Sequence, residues 1–78
     1  MWFDTKKIEE NEKTVIYAYG FGTHELTGKF LLSKENADVV LIEKDKDYAD
    51  DIFNWIKGHV SYRIPKEGYP DKRMVATG

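Results

Sequence analysis

The chain has 78 residues, with twelve Lys or Arg against fourteen Asp or Glu, for a net charge of −2. By the usual size scaling it exposes about 4,900 Å² when folded against about 13,200 Å² when extended, which supports one thin core and not two domains. With 41% hydrophobic, 14% aromatic and 33% charged residues it reads as globular, and its lack of cysteine excludes disulfides, thiolate metal sites and thiol nucleophiles.

The longest aliphatic run, Val39-Val40-Leu41-Ile42, has four residues where a membrane span needs about 20. Met1-Trp2-Phe3-Asp4 runs into a charged stretch, which is not a secretory signal. The expectation is one domain over residues 1–78, cytoplasmic, with no membrane contact. Charge is uneven along it. Residues 43–51 hold Lys44 and Lys46 against Glu43, Asp45, Asp47, Asp50 and Asp51, whereas residues 52–78 hold Lys57, Arg63, Lys66, Lys72 and Arg73 against Glu67 and Asp71. A net acidic chain lacks the general footprint of a nucleic-acid binder, although its C-terminal part can supply a basic patch.

The first half of the chain alternates with a period of two. Trp2 to Glu10 reads as a weak strand anchored by Trp2, Phe3 and Ile8, closed by a turn at Asn11-Glu12, where Asn tolerates left-handed backbone. Thr14 to Phe21 is the clearest strand. Val15, Tyr17, Tyr19 and Phe21 fall on one face, and Ile16, Ala18 and Gly20 on the other. Leu26 to Leu32 gives a third strand, Ser33 to Ala37 a turn, and Val39 to Glu43 a fourth strand that is apolar on both faces. Connections this short favour antiparallel hairpins, since a parallel crossover needs a dozen residues or more.

The period then changes to 3.6. Asp47 stands at the N-cap position, with Asp50 and Asp51 adding carboxylates to the positive end of a helix. Ala49, Ile52, Phe53, Ile56, Val60 and Ile64 form one apolar stripe, predicted to pack on Phe30, Leu32 and strand four. Tyr48, Trp55 and Tyr62 form a second stripe, with His59 between them. Together the stripes span roughly 200° of the circumference, whereas a helix on one sheet face needs little more than about 100°. The surplus predicts a second contact, made by the C-terminal tail, by a second copy of the chain in a weak homodimer, or by both. Two stops compete. Pro65 disfavours helical geometry at Ile64, and Gly68 followed by Pro70 offers a Schellman ending in which Tyr69 meets Ile64. The second is preferred, with a kink at Pro65 and an end near Glu67.

No motif for chemistry stands up to inspection. Gly20-Phe21-Gly22 lacks a third glycine and the helix that a phosphate loop needs. Asp45, Asp47, Asp50 and Asp51 do not fit a calcium loop, because an oxygen ligand is required at Ala49 and a glycine at Asp50. His24 and His59 lie on different elements, and His24-Glu25 has no second histidine at helical spacing. Ser33 and Ser61 sit in no nucleophile motif. No metal, cofactor or catalytic residue is expected.

The aromatics have the widest functional reach. If Tyr17, Tyr19 and Phe21 face solvent they form a stacking platform for single-stranded nucleic acid, with Lys29, Arg63 or Lys72 on the backbone. If they face the helix they are core, which is the favoured reading. Some single-strand-binding transcriptional coactivators share the order of four strands and a helix, but order is an analogy that carries no residue.

The expected fold is therefore α+β. It has a four-stranded antiparallel meander (1–44), one long C-terminal helix packed on the sheet (47–67) and an ordered tail (68–78). The expected function is a small non-catalytic binding or regulatory module acting through protein contacts, with Tyr48, Trp55, Tyr62 and His59 as its surface. The nucleic-acid platform is the second expectation, and an enzyme with an unrecognised site is the third.

Overall fold

The computed structural model describes residues 2–21, 26–43 and 50–76. They form β1 (Trp2–Glu10), β2 (Thr14–Phe21), β3 (Gly28–Ser33), β4 (Val39–Glu43), α1 (Asp50–Lys66) and β5 (Lys72–Ala76). The strands make one antiparallel sheet in the order β4-β3-β2-β1-β5. The meander expected from the short connections is present, with β2 at its centre. The tail, however, is a fifth strand. It pairs with β1 at the sheet edge, Phe3 opposite Val75 and Lys6 opposite Lys72, and Tyr62 of the aromatic stripe stays exposed.

The β1–β2 and β3–β4 hairpins are closed by local chemistry. The Asn11 side-chain oxygen accepts the N–H groups of Lys13 and Thr14, both at 2.8 Å, and its own N–H donates to the Thr14 carbonyl. Asn11 thus closes the β1–β2 turn as a side-chain acceptor, without the left-handed backbone expected of it. In the β3–β4 turn the left-handed residue is Ala37, at φ 61°. Neither turn spans a crossover.

Directly opposed residues on antiparallel strands share a face, so the register sorts the sheet into two. The inner face carries Phe3, Val15, Tyr17, Tyr19, Phe30, Leu32 and Val39. It meets Ile56, Val60 and Ile64 of α1 in one buried cluster, flanked by Leu41 and Tyr69. The Tyr17 and Phe30 rings stack at 5.6 Å. Gly28 lies opposite Tyr19, and a Cβ there would sit 2.3 Å from the tyrosine ring. Only glycine lets that ring lie flat on β3. The helical spacing of Ile56, Val60 and Ile64 therefore identified the packed face correctly. The side chains of Ile52 and Phe53, and the cap at Asp47, lie outside the described residues.

α1 runs through Pro65 to Lys66 and ends as the Gly68 signal indicated. Gly68 has φ +78°, its N–H donates to the Pro65 carbonyl at 3.2 Å, and the Tyr69 N–H donates to the Ile64 carbonyl at 3.0 Å. This is the paired bonding of a Schellman ending. A left-handed Tyr69 (φ 56°) completes the reversal, and the Lys7 N–H to Asp71 carbonyl bond then starts the β1–β5 ladder. The reversal sends the tail away from the helix and onto the sheet edge.

Candidate functional site

Of the described candidates, His59, Tyr62 and Arg63 come together on α1. Tyr48 lies outside the described residues, as does the side chain of Trp55. Tyr62 is 64% exposed on α1, with the Lys66 ammonium 5.2 Å from its ring centroid. His59 is half-buried beside it, and the two line an open groove with Gly58 and Arg63. This pair is what the structure brings together from the aromatic stripe.

The stacking platform is overturned for two of its three aromatics. Tyr17 is fully buried and Tyr19 is 2% exposed, because β2 turns this face toward α1. Neither ring has a face open to a base. The side chain of Phe21 lies outside the described residues. The cations expected to serve the platform are also divided between layers. Arg63 is exposed on α1, whereas Lys29 and Lys72 are exposed on the opposite face of the sheet.

That outer face has no helix of the described residues packed on it, and the register orders it into rows. Ile16 lies opposite Leu31, which lies opposite Val40, so an aliphatic row crosses three strands to the β4 edge. A neighbouring row runs Lys72, Lys6, Ala18, Lys29, Glu43 across all five strands. Lys29 and Glu43 are 3.8 Å apart. Lys6 stands directly opposite Lys72, an arrangement that costs stability when nothing anionic lies over it. Val40 is 56% exposed, Ile42 51% and Met74 55%. Ile42 sits where the β3–β4 register slips between Lys29 and Phe30. The signal for this surface was present in the alternation of Ile16, Ala18 and Gly20 and in a fourth strand apolar on both faces.

At one end of the sheet a polar cluster ties three connections together. Glu10 accepts from Lys7 and from Lys34, both at 2.6 Å, and Lys7 also approaches Asp71 at 3.4 Å. The hydrogen bond from Lys34, then that from Lys7, pushes the Glu10 carboxyl down to about 2. Its bond to Glu10 raises the Lys7 ammonium in turn. Lys34 also lies 5.0 Å from the Tyr69 ring centroid. The Tyr17 hydroxyl donates to the Pro70 carbonyl at 2.8 Å, and burial, aided by the charges of Glu10 and Asp71, raises its pKa. The buried Thr5 hydroxyl donates to the Arg73 carbonyl at 2.9 Å, and the Arg73 guanidinium pairs with Glu67 at 2.7 Å. The Arg73 Nε is buried and meets Glu67 as an ion pair without hydrogen-bond geometry. These contacts anchor the path from α1 into β5.

Among the described residues no three His, Asp or Glu side chains are grouped to hold a metal ion, and no helix is long and apolar enough to cross a membrane. The chain matches no known protein family, and no curated protein or solved structure is significantly similar to it.

Proposed function

We propose that the protein is a small non-catalytic module of the cytoplasm that works by protein contact, and that its working surface is the outer face of the sheet. The observation that carries this reading is the row Ile16–Leu31–Val40. It is an aliphatic strip on the layer that α1 leaves uncovered, ending on strongly exposed Val40 and Ile42. Contiguous apolar surface bordered by charge is the usual mark of a protein contact site. The adjacent lysines, with Lys6 opposed to Lys72, suit a partner that presents carboxylates beside its apolar surface.

The test is affinity capture from source cells with the wild-type chain and with Leu31→Glu, identifying bound proteins and nucleic acids alike. The expected result is a protein partner retained by the wild type and lost with Leu31→Glu while the circular dichroism of the two chains agrees. Retention of nucleic acid alone, lost with Lys6→Ala and Lys72→Ala, would replace this reading with a phosphate-binding one.

A further inference from the structure

Gly58 stands at the middle of α1, where glycine is the least favourable residue after proline. Neither backbone nor packing calls for it. Its φ is not left-handed, and a Cβ built there meets nothing within 4 Å among the described residues. Helical side chains lean toward the N-terminus, so Tyr62, one turn on, reaches back over the turn that Gly58 leaves bare. Gly58, His59, Tyr62 and Arg63 line the resulting groove, and an adjoining hollow shares Tyr62 and Arg63 with Lys66 and Glu67. The uncommitted charge here is positive. Lys66 lies 5.2 Å from the Tyr62 ring centroid and donates to its hydroxyl at 3.4 Å. Arg63 is exposed and has no carboxylate partner among the described residues. Glu67 is engaged by Arg73 at 2.7 Å. Cations in a last turn complement the helix dipole, but the dipole requires neither an exposed tyrosine between them nor a glycine one turn below.

We propose that this groove binds a mononucleotide, its base stacked on Tyr62 above Gly58 and its phosphate held by Arg63 and Lys66. Tyr62 is 64% exposed, and stacking on an aromatic ring accepts any base, since every base has a π-face. The missing side chain at Gly58 lets that base lie against the helix backbone. Two cations match the double charge of a phosphate monoester, which a single carboxylate does not, and the guanidinium fork suits its oxygens. One exposed ring and two cations fit one nucleotide and not a strand. The site is separate from the outer face of the sheet, because α1 packs on the inner face. A protein partner on one and a nucleotide on the other can be held together.

The test is a titration followed by amide and aromatic NMR shifts, with AMP, ribose 5-phosphate and adenosine as probes. AMP should shift Gly58, His59, Tyr62 and Arg63 and leave Ile16, Leu31 and Val40 unmoved. It should bind about tenfold more tightly than ribose 5-phosphate, which lacks the stacked base, and about tenfold more tightly than adenosine, which lacks the charged group. Gly58→Leu should raise the thermal midpoint, because leucine is the better helix former, and yet abolish the AMP shifts by filling the groove. Arg63→Gln should keep the fold and weaken AMP about tenfold. That pairing of a more stable chain with lost binding is a result that a merely structural glycine does not give. AMP shifts that are absent or centred elsewhere would overturn the inference. So would ribose 5-phosphate bound as tightly as AMP, or undiminished AMP affinity in either folded variant.

Discussion

Replacing Tyr17 separates a structural from a ligand-binding role for the tyrosine row. Its side chain is fully buried, stacks on Phe30 at 5.6 Å, and donates its hydroxyl to the Pro70 carbonyl at 2.8 Å. Tyr17→Phe keeps the ring and removes one hydrogen bond to a half-buried carbonyl that water can partly recover, a loss of about 0.5–1.5 kcal/mol. Tyr17→Ala empties a ring-sized space at the centre of the sheet, and large aromatic truncations of this kind cost about 3–5 kcal/mol. A domain of this length has about 4–12 kcal/mol in total, so the alanine variant should lose at least a quarter of its stability and can lose nearly all. Urea denaturation followed by tyrosine and tryptophan fluorescence measures both effects. Hydrogen exchange adds a positional signature. Pro70 leads directly into β5, so Tyr17→Phe should speed exchange of β5 amides more than those of β3. An unchanged denaturation midpoint for Tyr17→Ala, with single-stranded nucleic acid bound by the wild type and released by the variant, would refute the assignment of this face to the core.

Three further outcomes follow from the packing and the turns. Ile56→Ala should cost about 2–5 kcal/mol, because Ile56 is fully buried between α1 and the sheet; a chemical melt checks it. Ala37→Gly should stabilise the chain by a few tenths to about 1 kcal/mol, since Ala37 holds φ 61°, a conformation that costs a non-glycine residue about 1–2 kcal/mol and offsets the extra freedom of glycine when unfolded. The stability curve should bend at both ends of the pH range. Glu10 is lowered to about 2 from the ordinary carboxylate value of 4.5, so its contribution is present above about 4.5 and lost as pH falls toward 2. The Tyr17 hydroxyl is raised, so its contribution holds below about 10 and is lost as pH climbs beyond. Melts of Glu10→Gln and Tyr17→Phe across pH should flatten the acid and alkaline limbs respectively.

The first four strands were legible from their apolar alternation or runs between short polar turns. Val15, Tyr17 and Tyr19 alternate without interruption, and β1, β2 and β4 begin and end where composition changes. The end of α1 was legible through Gly68 and Pro70, whose spacing encodes the Schellman turn even with Pro65 inside the helix. The fifth strand was not. Lys-Arg-Met-Val-Ala has too few apolar residues to alternate visibly, and its place is decided by backbone pairing to β1 and by the Tyr17–Pro70 bond, neither of which leaves a periodic trace. Ile8 misled for a related reason. It anchors β1 in the sequence, yet the register slips between Lys7 and Glu9 and leaves Ile8 52% exposed. The proposed contact surface was half legible. Ile16 and Leu31 were sorted by the alternation of their strands, and the favoured placement of Tyr17 and Tyr19 in the core holds, but the register that aligns Ile16 with Leu31 and Val40 is set by strand pairing and leaves no trace in the sequence.

The proposed division of the sheet into a structural and a contact face is tested most directly by methyl and aromatic NMR shifts followed as any captured partner is added. The account predicts shift changes confined to Ile16, Leu31, Val40 and Ile42, with Ile56, Val60 and Ile64 unmoved. Changes centred instead on His59 and Tyr62 would contradict it and return the contact surface to the helix.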